Sequence, residues 1–466
     1  MSAAAAGAGF DYHDRMPALW EFAIDVGGTF TDCLAWSPDG ARHRRKVLST
    51  GVVTGVVGPG SVGNRVVDSR RSADPPGFWA GATFALRDGD GNRLPAAQVR
   101  DSGDGALELD ATVPSWALGR PYELDAGLDA PLLAIRGLLG LPPGDEIPPV
   151  RVRLGTTRGT NALLTRTGAR TALAITQGFG DLLEIGDQHR PRLFDLAIRK
   201  PPPLAERTIE IAERVAADGR VLRRPDAEIV RRQLQEQRAA GVESLAICLL
   251  HADLYSAHEE LVERLAREAG FREISRSSAI APLVKIVARA ETTVVDAYLN
   301  PILRVYLQRL RRELPGSHVQ LMTSAGILKE ADAFCGYESV LSGPAGGVVG
   351  FARMAESAGR RQAIGFDMGG TSTDVARYDG QFEFQYESHK AGVRLLTPTL
   401  AIETVAAGGG SICGFDGAKL TVGPASSGAD PGPACYGRGG PLCVTDLNLY
   451  LGRLDVESFP LPPDSA

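Results

Sequence analysis

Two eight-residue stretches carry the residue types that handle polyphosphate. Asp25-Val-Gly-Gly-Thr-Phe-Thr-Asp32 and Asp367-Met-Gly-Gly-Thr-Ser-Thr-Asp374 are identical at six of eight positions, and their first aspartates lie 342 residues apart (367 − 25). Each follows an apolar stretch of strand character. Paired glycines let backbone N–H groups approach phosphate oxygens with no Cβ in the way, and threonine hydroxyls add donors. An aspartate at a strand end suits Mg²⁺, which keeps several waters and takes only one or two protein carboxylates. Gly27, Gly28, Thr29, Thr31, Gly369, Gly370, Thr371 and Thr373 are therefore the candidate phosphate donors. Asp25 and Asp367 are the candidates for holding Mg²⁺ or orienting an attacking group, and Asp32 and Asp374 for holding their own loops in shape. A single Gly-Gly-Thr would read equally well as a tight hairpin. Duplication with both flanking aspartates retained favours the phosphate reading, and two such loops facing each other would clamp one nucleotide between two domains.

The elements that must position these loops are written around them. Glu21 to Ala35 reads as strand, glycine turn, strand; Ser37-Pro-Asp-Gly40 is a turn signal, and Arg42 to Ser49 the next antiparallel strand. Residues 51–150 change character. They are rich in Gly, Asp and Pro with short strand-like pieces such as Ala82–Leu86, and read as a β-rich insertion. Asp88-Gly-Asp-Gly-Asn92 resembles the start of a calcium loop, but Arg93 stands where that loop needs glycine and Val99 where it needs glutamate, so a hairpin turn is expected. From Val152 strands and helices alternate. Strands are expected at Arg151–Leu154, Thr171–Thr176, Val242–Leu250, Val319–Thr323 and Ala363–Phe366. Helices are expected from Ala162, over Ala227–Ala240, from a capping box at Ser256-Ala-His-Glu259 to Gly270, over Glu291–Leu314 and over Gly346–Ala358. That alternation argues for α/β domains. The expected division is a tail over 1–20, a first lobe built from 21–50 and 151–200, the insertion at 51–150, and a further domain over 201–466.

Composition narrows the class. A formal net charge of −6 over 466 residues argues against nucleic acid as a partner, and the short basic run Arg42–Lys46 reads as a solvated strand face. None of the six cysteines has CxxC spacing, so neither a zinc site nor a redox pair is indicated. The amino-terminal stretch lacks the basic start and apolar run of a signal peptide. No stretch reaches the roughly 18 apolar residues of a membrane span, so the cytoplasm is expected and a membrane is not. His189, His251, His258 and His389 show no ligand spacing and read as structural or surface residues. Cys435 follows the turn Asp430-Pro-Gly-Pro433 and is a candidate reactive thiol.

The paired loops resemble the two phosphate motifs of the actin, sugar-kinase and heat-shock ATPase superfamily. The flanking text resembles the hydantoinase A/5-oxoprolinase family over residues 21–49 and 151–454. The resemblance rests on Leu154-Gly-Thr-Thr-Arg-Gly-Thr-Asn-Ala-Leu-Leu164, Gly178-Phe-Gly-Asp181, Ser342-Gly-Pro-Ala-Gly-Gly347, Gly365–Asp374 and Gly428-Ala-Asp-Pro-Gly-Pro-Ala-Cys-Tyr-Gly437. It implies an α/β chain of the actin-like/ribonuclease H-like ATPase fold, two-lobed, with the second lobe incomplete. It also implies ATP- and Mg²⁺-dependent hydrolysis of a cyclic amide, 5-oxo-L-proline to L-glutamate or a hydantoin. A lactam carbonyl is a poor electrophile because nitrogen donates into it, and phosphorylation of its oxygen opens it to water. In such chemistry the protein positions groups and stabilises charge.

By matching position, Thr156, Thr157, Thr160 and Asn161 are candidates for the substrate pocket, with a helix N-cap network as the alternative. Ala407-Gly-Gly-Gly-Ser411 reads as a close approach to a ligand or as a turn. Two other functions remain open: the ATP-using subunit of an acetone- or acetophenone-type carboxylase, and a catalytically incomplete binding or assembly module. The chain departs from the family pattern in its insertion and in ending 92 residues after Asp374 (466 − 374), before the Gly-rich segment that meets adenosine in relatives. It also has no B-type part. The expected partners are a hydantoinase B-type subunit and a missing carboxy-terminal segment.

Overall fold

The strand–turn–strand expected at the first loop forms as β1 (Glu21–Val26) and β2 (Phe30–Trp36), and β3 (Arg42–Leu48) pairs antiparallel with β2. Alternation along a strand sends successive side chains to opposite faces. Phe22, Ile24, Val26, Cys33 and Ala35 are buried, while Asp25, Asp32 and Leu34 are exposed. The computed structural model describes residues 19–28, 30–87, 93–187, 194, 196–197, 200–428, 431–437 and 439–455. Thr29, the turn at Asp88–Asn92, His189 and Asp430 lie outside the described residues.

The chain forms two compact units, Met1–Leu154 with Arg311–Val319 and Gly155–Leu310 with Gln320–Ala466. In the first, α1 (Ala130–Leu139) lies against β1, β2 and β3. It opens with Pro131 in its first turn and closes at Gly140, whose φ of 70° is the left-handed conformation glycine adopts freely. β4 (Arg151–Thr156) extends the sheet in the order β4-β1-β2-β3, and its last two residues open the second unit.

Residues 51–150 share this unit and hold six strands besides α1. Their six strands form one sheet in the order Val52–Val56, Pro121–Asp125, Thr83–Leu86, Ala97–Gly103, Ala106–Leu109, Arg65–Val67. Trp79, Phe78, Tyr122, Leu107 and Leu124 are fully buried. Asp68 ties the sheet together: it accepts from Arg70 N at 3.0 Å, Tyr122 Oη at 2.9 Å and Val56 N at 3.2 Å.

In the second unit α2 (Arg158–Leu164) precedes a parallel sheet of β5 (Thr171–Thr176), β6 (Arg207–Ile211), β7 (Ser244–Cys248) and β8 (Glu273–Arg276), in the order β6-β5-β7-β8. Helices α3 (Ala227–Ala239) and α4 (Ala257–Glu268) cover it through Val230, Leu234, Val262 and Leu265. The long helix α5 (Ile286–Glu313) follows, then α6 (Ser342–Ser357), and then the second loop's strands β9 (Gln362–Met368) and β10 (Thr373–Asp379), with β11 (Glu403–Val405) beside β10.

Three helix starts, those of α2, α6 and α5, differ from expectation. α2 begins at Arg158, four residues before Ala162, because Thr156 Oγ1 accepts from Arg158 N at 3.2 Å. α6 begins at Ser342, four residues before Gly346, because Pro344 lies in the first turn, where no backbone donor is needed. The expected capping box at α4 does not form: Ser256 donates to Glu260. Glu259 instead turns into the core, where it accepts from Leu249 N at 2.9 Å and Ser277 Oγ at 2.6 Å. α5 begins at Ile286, five residues before Glu291, and runs through Pro301. Among the described residues no helix is long and apolar enough to cross a membrane.

Candidate functional site

The two Asp/Gly/Thr loops close in the same way. Asp25 pairs with Asp32 across β1–β2, and Asp367 with Asp374 across β9–β10. Gly27 N donates to Phe30 O at 3.0 Å, and Gly369 N donates to Ser372 O at 2.9 Å. A Cβ at Gly27 would lie 2.9 Å from Phe30 O, so this glycine serves the turn itself. Gly28 and Gly370 differ: neither has a left-handed φ, and neither would bring a Cβ within 4 Å of any other group. Among the described residues, neither backbone strain nor packing demands glycine at those two positions.

The polar residues divide into those that face out and those that brace the loops. Asp25, Asp367, Gly369, Gly370 and Thr371 are exposed. Thr31 and Thr373, expected at the phosphate, turn inward. Thr31 Oγ1 lies 3.0 Å from Ser49 Oγ, which donates to Gly27 O at 2.8 Å, and Thr373 Oγ1 donates to Ala407 O at 2.5 Å. Asp32 is ion-paired with Lys46 Nζ at 2.6 Å, and Asp374 accepts from Thr404 Oγ1 at 2.8 Å. Both second aspartates thus pin their loops to a neighbouring strand.

Behind the second loop lies the glycine run 408–410, which sequence reading left open between ligand contact and turn. Gly409 N donates to Gly369 O at 2.9 Å and Gly410 N to Gly370 O at 2.6 Å. A Cβ on Gly408 would lie 2.6 Å from the Gly370 carbonyl, and one on Gly409 2.5 Å from Thr445 Oγ1. These glycines exist for backbone-to-backbone approach, which carries the loop on a rigid support. Ser427 N and Thr445 N, donating to Gly410 O and Gly409 O at 2.8 Å, complete that support. Nothing in their local sequence marks them, because the contact joins segments far apart in the chain.

The Gly-Thr-Thr segment docks on the start of α6. Thr160 Oγ1 accepts from Leu341 N at 2.9 Å, and Ser342 Oγ donates to the Thr156 carbonyl at 2.9 Å. Leu341 holds the left-handed φ of 63°, and Gly159 leaves no room for a side chain beside Ser339. Thr156 is fully buried and accepts from Arg158 N, the first residue of α2, at 3.2 Å. Thr157 Oγ1 accepts from Asn161 Nδ2 at 3.3 Å, and Asn161 is exposed. Of the four substrate-pocket candidates, Thr156 and Thr160 therefore lock two helices together, while Thr157 and Asn161 reach the surface.

The remaining candidates are structural. His258 Nδ1 lies 2.7 Å from buried Glu213, and His251 Nδ1 2.8 Å from the Val215 carbonyl. Burial, with Asp446 adding to it, pushes the Cys435 thiol up to about 12, which keeps it protonated at neutral pH. It is not a poised nucleophile.

These elements define a mixed α/β protein with a duplicated Asp/Gly/Thr hairpin. The chain belongs to the hydantoinase/oxoprolinase family: the Hydantoinase/oxoprolinase model matches residues 289–466, and the model of that family's N-terminal region matches 129–270. It is 44% identical over 365 residues to 5-oxoprolinase 1 of Arabidopsis thaliana and 42% identical over 373 residues to 5-oxoprolinase of Saccharomyces cerevisiae. Each match covers 71% of this chain and 29% of the relative, so the chain spans less than a third of their length. Among solved structures, it resembles the ATP-dependent caprolactamase from Pseudomonas jessenii with a TM-score of 0.62 and 26% identity, over 93% of this chain and 55% of that one. It shares the fold of a nucleotide-free acetone carboxylase with a TM-score of 0.61 and 21% identity, over 95% and 56% respectively.

Proposed function

We propose that this chain is the nucleotide-handling part of an ATP-dependent hydrolase that opens a cyclic amide, 5-oxo-L-proline to L-glutamate. One observation carries the reading. Gly28 and Gly370 are glycines that the chain's own packing does not require, at matching positions of two identically closed loops. A ligand approaching the backbone supplies the missing reason. The relatives named 5-oxoprolinase point that ligand and substrate toward ATP and a lactam.

In this reading Gly27, Gly28 and Thr29 in the first loop, and Gly369, Gly370 and Thr371 in the second, offer donors to phosphate oxygens. Thr31 and Thr373 hold those donors in place. Mg²⁺ would be held mostly by water and phosphate with Asp25 or Asp367 as its protein carboxylate, since Mg²⁺ rarely uses an all-protein cage. ATP, when bound, supplies the phosphoryl group that makes the lactam oxygen a leaving group. Thr157 and Asn161 are the surface groups placed to meet a substrate. Caprolactamase subunit alpha of Pseudomonas jessenii, 30% identical over 353 residues, is by its name one of several subunits. That supports an active assembly of more than one subunit, the second of which we propose to be of the hydantoinase B type.

The test is ATP hydrolysis by the assembled enzyme with 5-oxoproline, hydantoins and ketones in turn. Stimulation by 5-oxoproline is expected, and Asp367→Asn should lower turnover about tenfold or more with the fold intact by circular dichroism. Unchanged turnover would remove Asp367 from the chemistry. Stimulation by a ketone but not by 5-oxoproline would move the chain to the carboxylase reading.

A further inference from the structure

The short basic run Arg42–Lys46 reads from sequence as a solvated strand face, and the structure divides it. Arg45 stands opposite Cys33 on the buried face, where it lies against Gly137 of α1 and pairs with Asp74 at 3.6 Å. Arg42, Arg44 and Lys46 alternate to the other face. Arg42 and Arg44 stand opposite Trp36 and Leu34, away from the first loop. Lys46 stands opposite Asp32, and Asp32 opposite Asp25. Residues directly opposite in antiparallel strands share a face. Asp25, Asp32 and Lys46 therefore form one row across β1, β2 and β3, one residue from the glycine turn.

The second hairpin builds the same row from Asp367, Asp374 and Thr404. There a neutral hydroxyl pins the second aspartate, since Thr404 Oγ1 donates to Asp374 at 2.8 Å. Pinning alone does not need a cation. In the first hairpin the same position carries an ammonium. Lys46 Nζ donates to both oxygens of Asp32, at 2.8 and 2.6 Å, and lies 4.9 Å from the centre of the Phe30 ring. Phe30 is the residue whose carbonyl closes the glycine turn by accepting from Gly27 N. A lysine stem is flexible and its ammonium is a compact point charge. The Asp32 carboxylate and the Phe30 ring face hold this one at the loop end of the sheet.

We propose that Lys46 contacts the polyphosphate at the first loop and that Asp32 is the residue that positions it, a role that rests on the phosphate reading of the loops given above. Two carboxylates standing directly opposite each other repel, and they repel an incoming polyphosphate as well. Asp25, Asp32 and Lys46 together carry one net negative charge, whereas Asp367, Asp374 and Thr404 carry two. Lys46 thus offsets a charge that Thr404 cannot. An ammonium also has three N–H donors. Asp32 takes two of them, which leaves a charge-assisted donor for a phosphate oxygen. The two loops are therefore unequal: the first offers a polyphosphate a fixed cation beside its backbone donors, and the second does not.

The test uses the full chain with inorganic triphosphate and Mg²⁺ as the probe. Lysines are acetylated with and without the probe, and the extent at each is read by peptide mass spectrometry, with Lys285 as the reference. Labelling of Lys46 is expected to fall about tenfold at saturating probe while Lys285 is unchanged. In calorimetry with the same probe, Lys46→Met should lose about tenfold in affinity and Lys46→Arg should keep most of it. Asp32→Asn/Lys46→Met removes the ion pair with no change in net charge. It would regain affinity if Lys46 only neutralised Asp32, and it is expected to stay as weak as Lys46→Met. Exposed ion pairs add little to stability, so the variants should melt within about 3 °C of the native chain. Unprotected Lys46 in a native chain that binds the probe, or affinity regained in the double variant, would overturn the role of Lys46 and leave the loop reading standing. No heat from the probe in the native chain would overturn both.

Discussion

At the residue scale, the glycines separate function from packing. Gly370→Ala and Gly28→Ala place a methyl group in open space at an ordinary φ. They should leave stability unchanged or raise it by about 0.4–1 kcal/mol by restricting the unfolded chain, while weakening binding of MgATP. Gly408→Ala should do the reverse of the first effect. Its Cβ meets the Gly370 carbonyl at 2.6 Å, an overpacking that costs about 1–3 kcal/mol. Thermal melts and nucleotide titration of the three variants check this, and full affinity in Gly370→Ala would contradict the phosphate role. The loops themselves were readable because the chain writes them twice. The inward turn of Thr31 and Thr373 was not, because the groups that capture their hydroxyls, Ser49 Oγ and Ala407 O, lie 18 and 34 residues away.

At the element scale, two contacts decide how well the sheets and helices hold. Thr160→Val removes the hydroxyl that accepts from Leu341 N at the start of α6 and leaves that donor without this partner. The expected loss is about 1–3 kcal/mol in chemical denaturation, recovered by Thr160→Ser. Asp68, which follows the edge strand Arg65–Val67 and accepts from Val56 N and Tyr122 Oη, gives a pH signature. Burial raises its pKa, but hydrogen bonds from Arg70 and Tyr122 outweigh this and hold the carboxyl below its ordinary value. Its contribution is therefore complete above the unfolded carboxylate pKa of about 3.9 and lost as pH falls through the lower folded value. Asp68→Asn should destabilise the protein at pH 7, and the gap to the native sequence should narrow as pH falls below about 4; a constant gap would show that the charge is not what matters. Strands were legible from their alternation, since β1, β2 and β3 fall where the pattern puts them. Helix starts were less so. α2 and α6 take their first turns from each other across some 180 residues, and Glu259 is claimed by the core before it can cap α4.

At the scale of the whole molecule, the mixed α/β class and the family were legible from the motifs, and the matched regions 129–270 and 289–466 agree with them. The sharing of a face between copies was not legible. Ile364, Phe366 and Met368 read as an ordinary strand, yet among the described residues their side chains are exposed while Phe22, Ile24 and Val26 are buried. The chain spans 29% of the length of the 5-oxoprolinases it matches.

The central claim, that these loops bind polyphosphate, is tested most directly by calorimetry on the chain alone. MgATP and inorganic triphosphate with Mg²⁺ should bind weakly and with similar affinity. Removing Mg²⁺ or introducing Asp367→Asn should weaken both, and adenosine should give no heat. Tight binding of adenosine without phosphates, or no heat from either polyphosphate, would contradict the account.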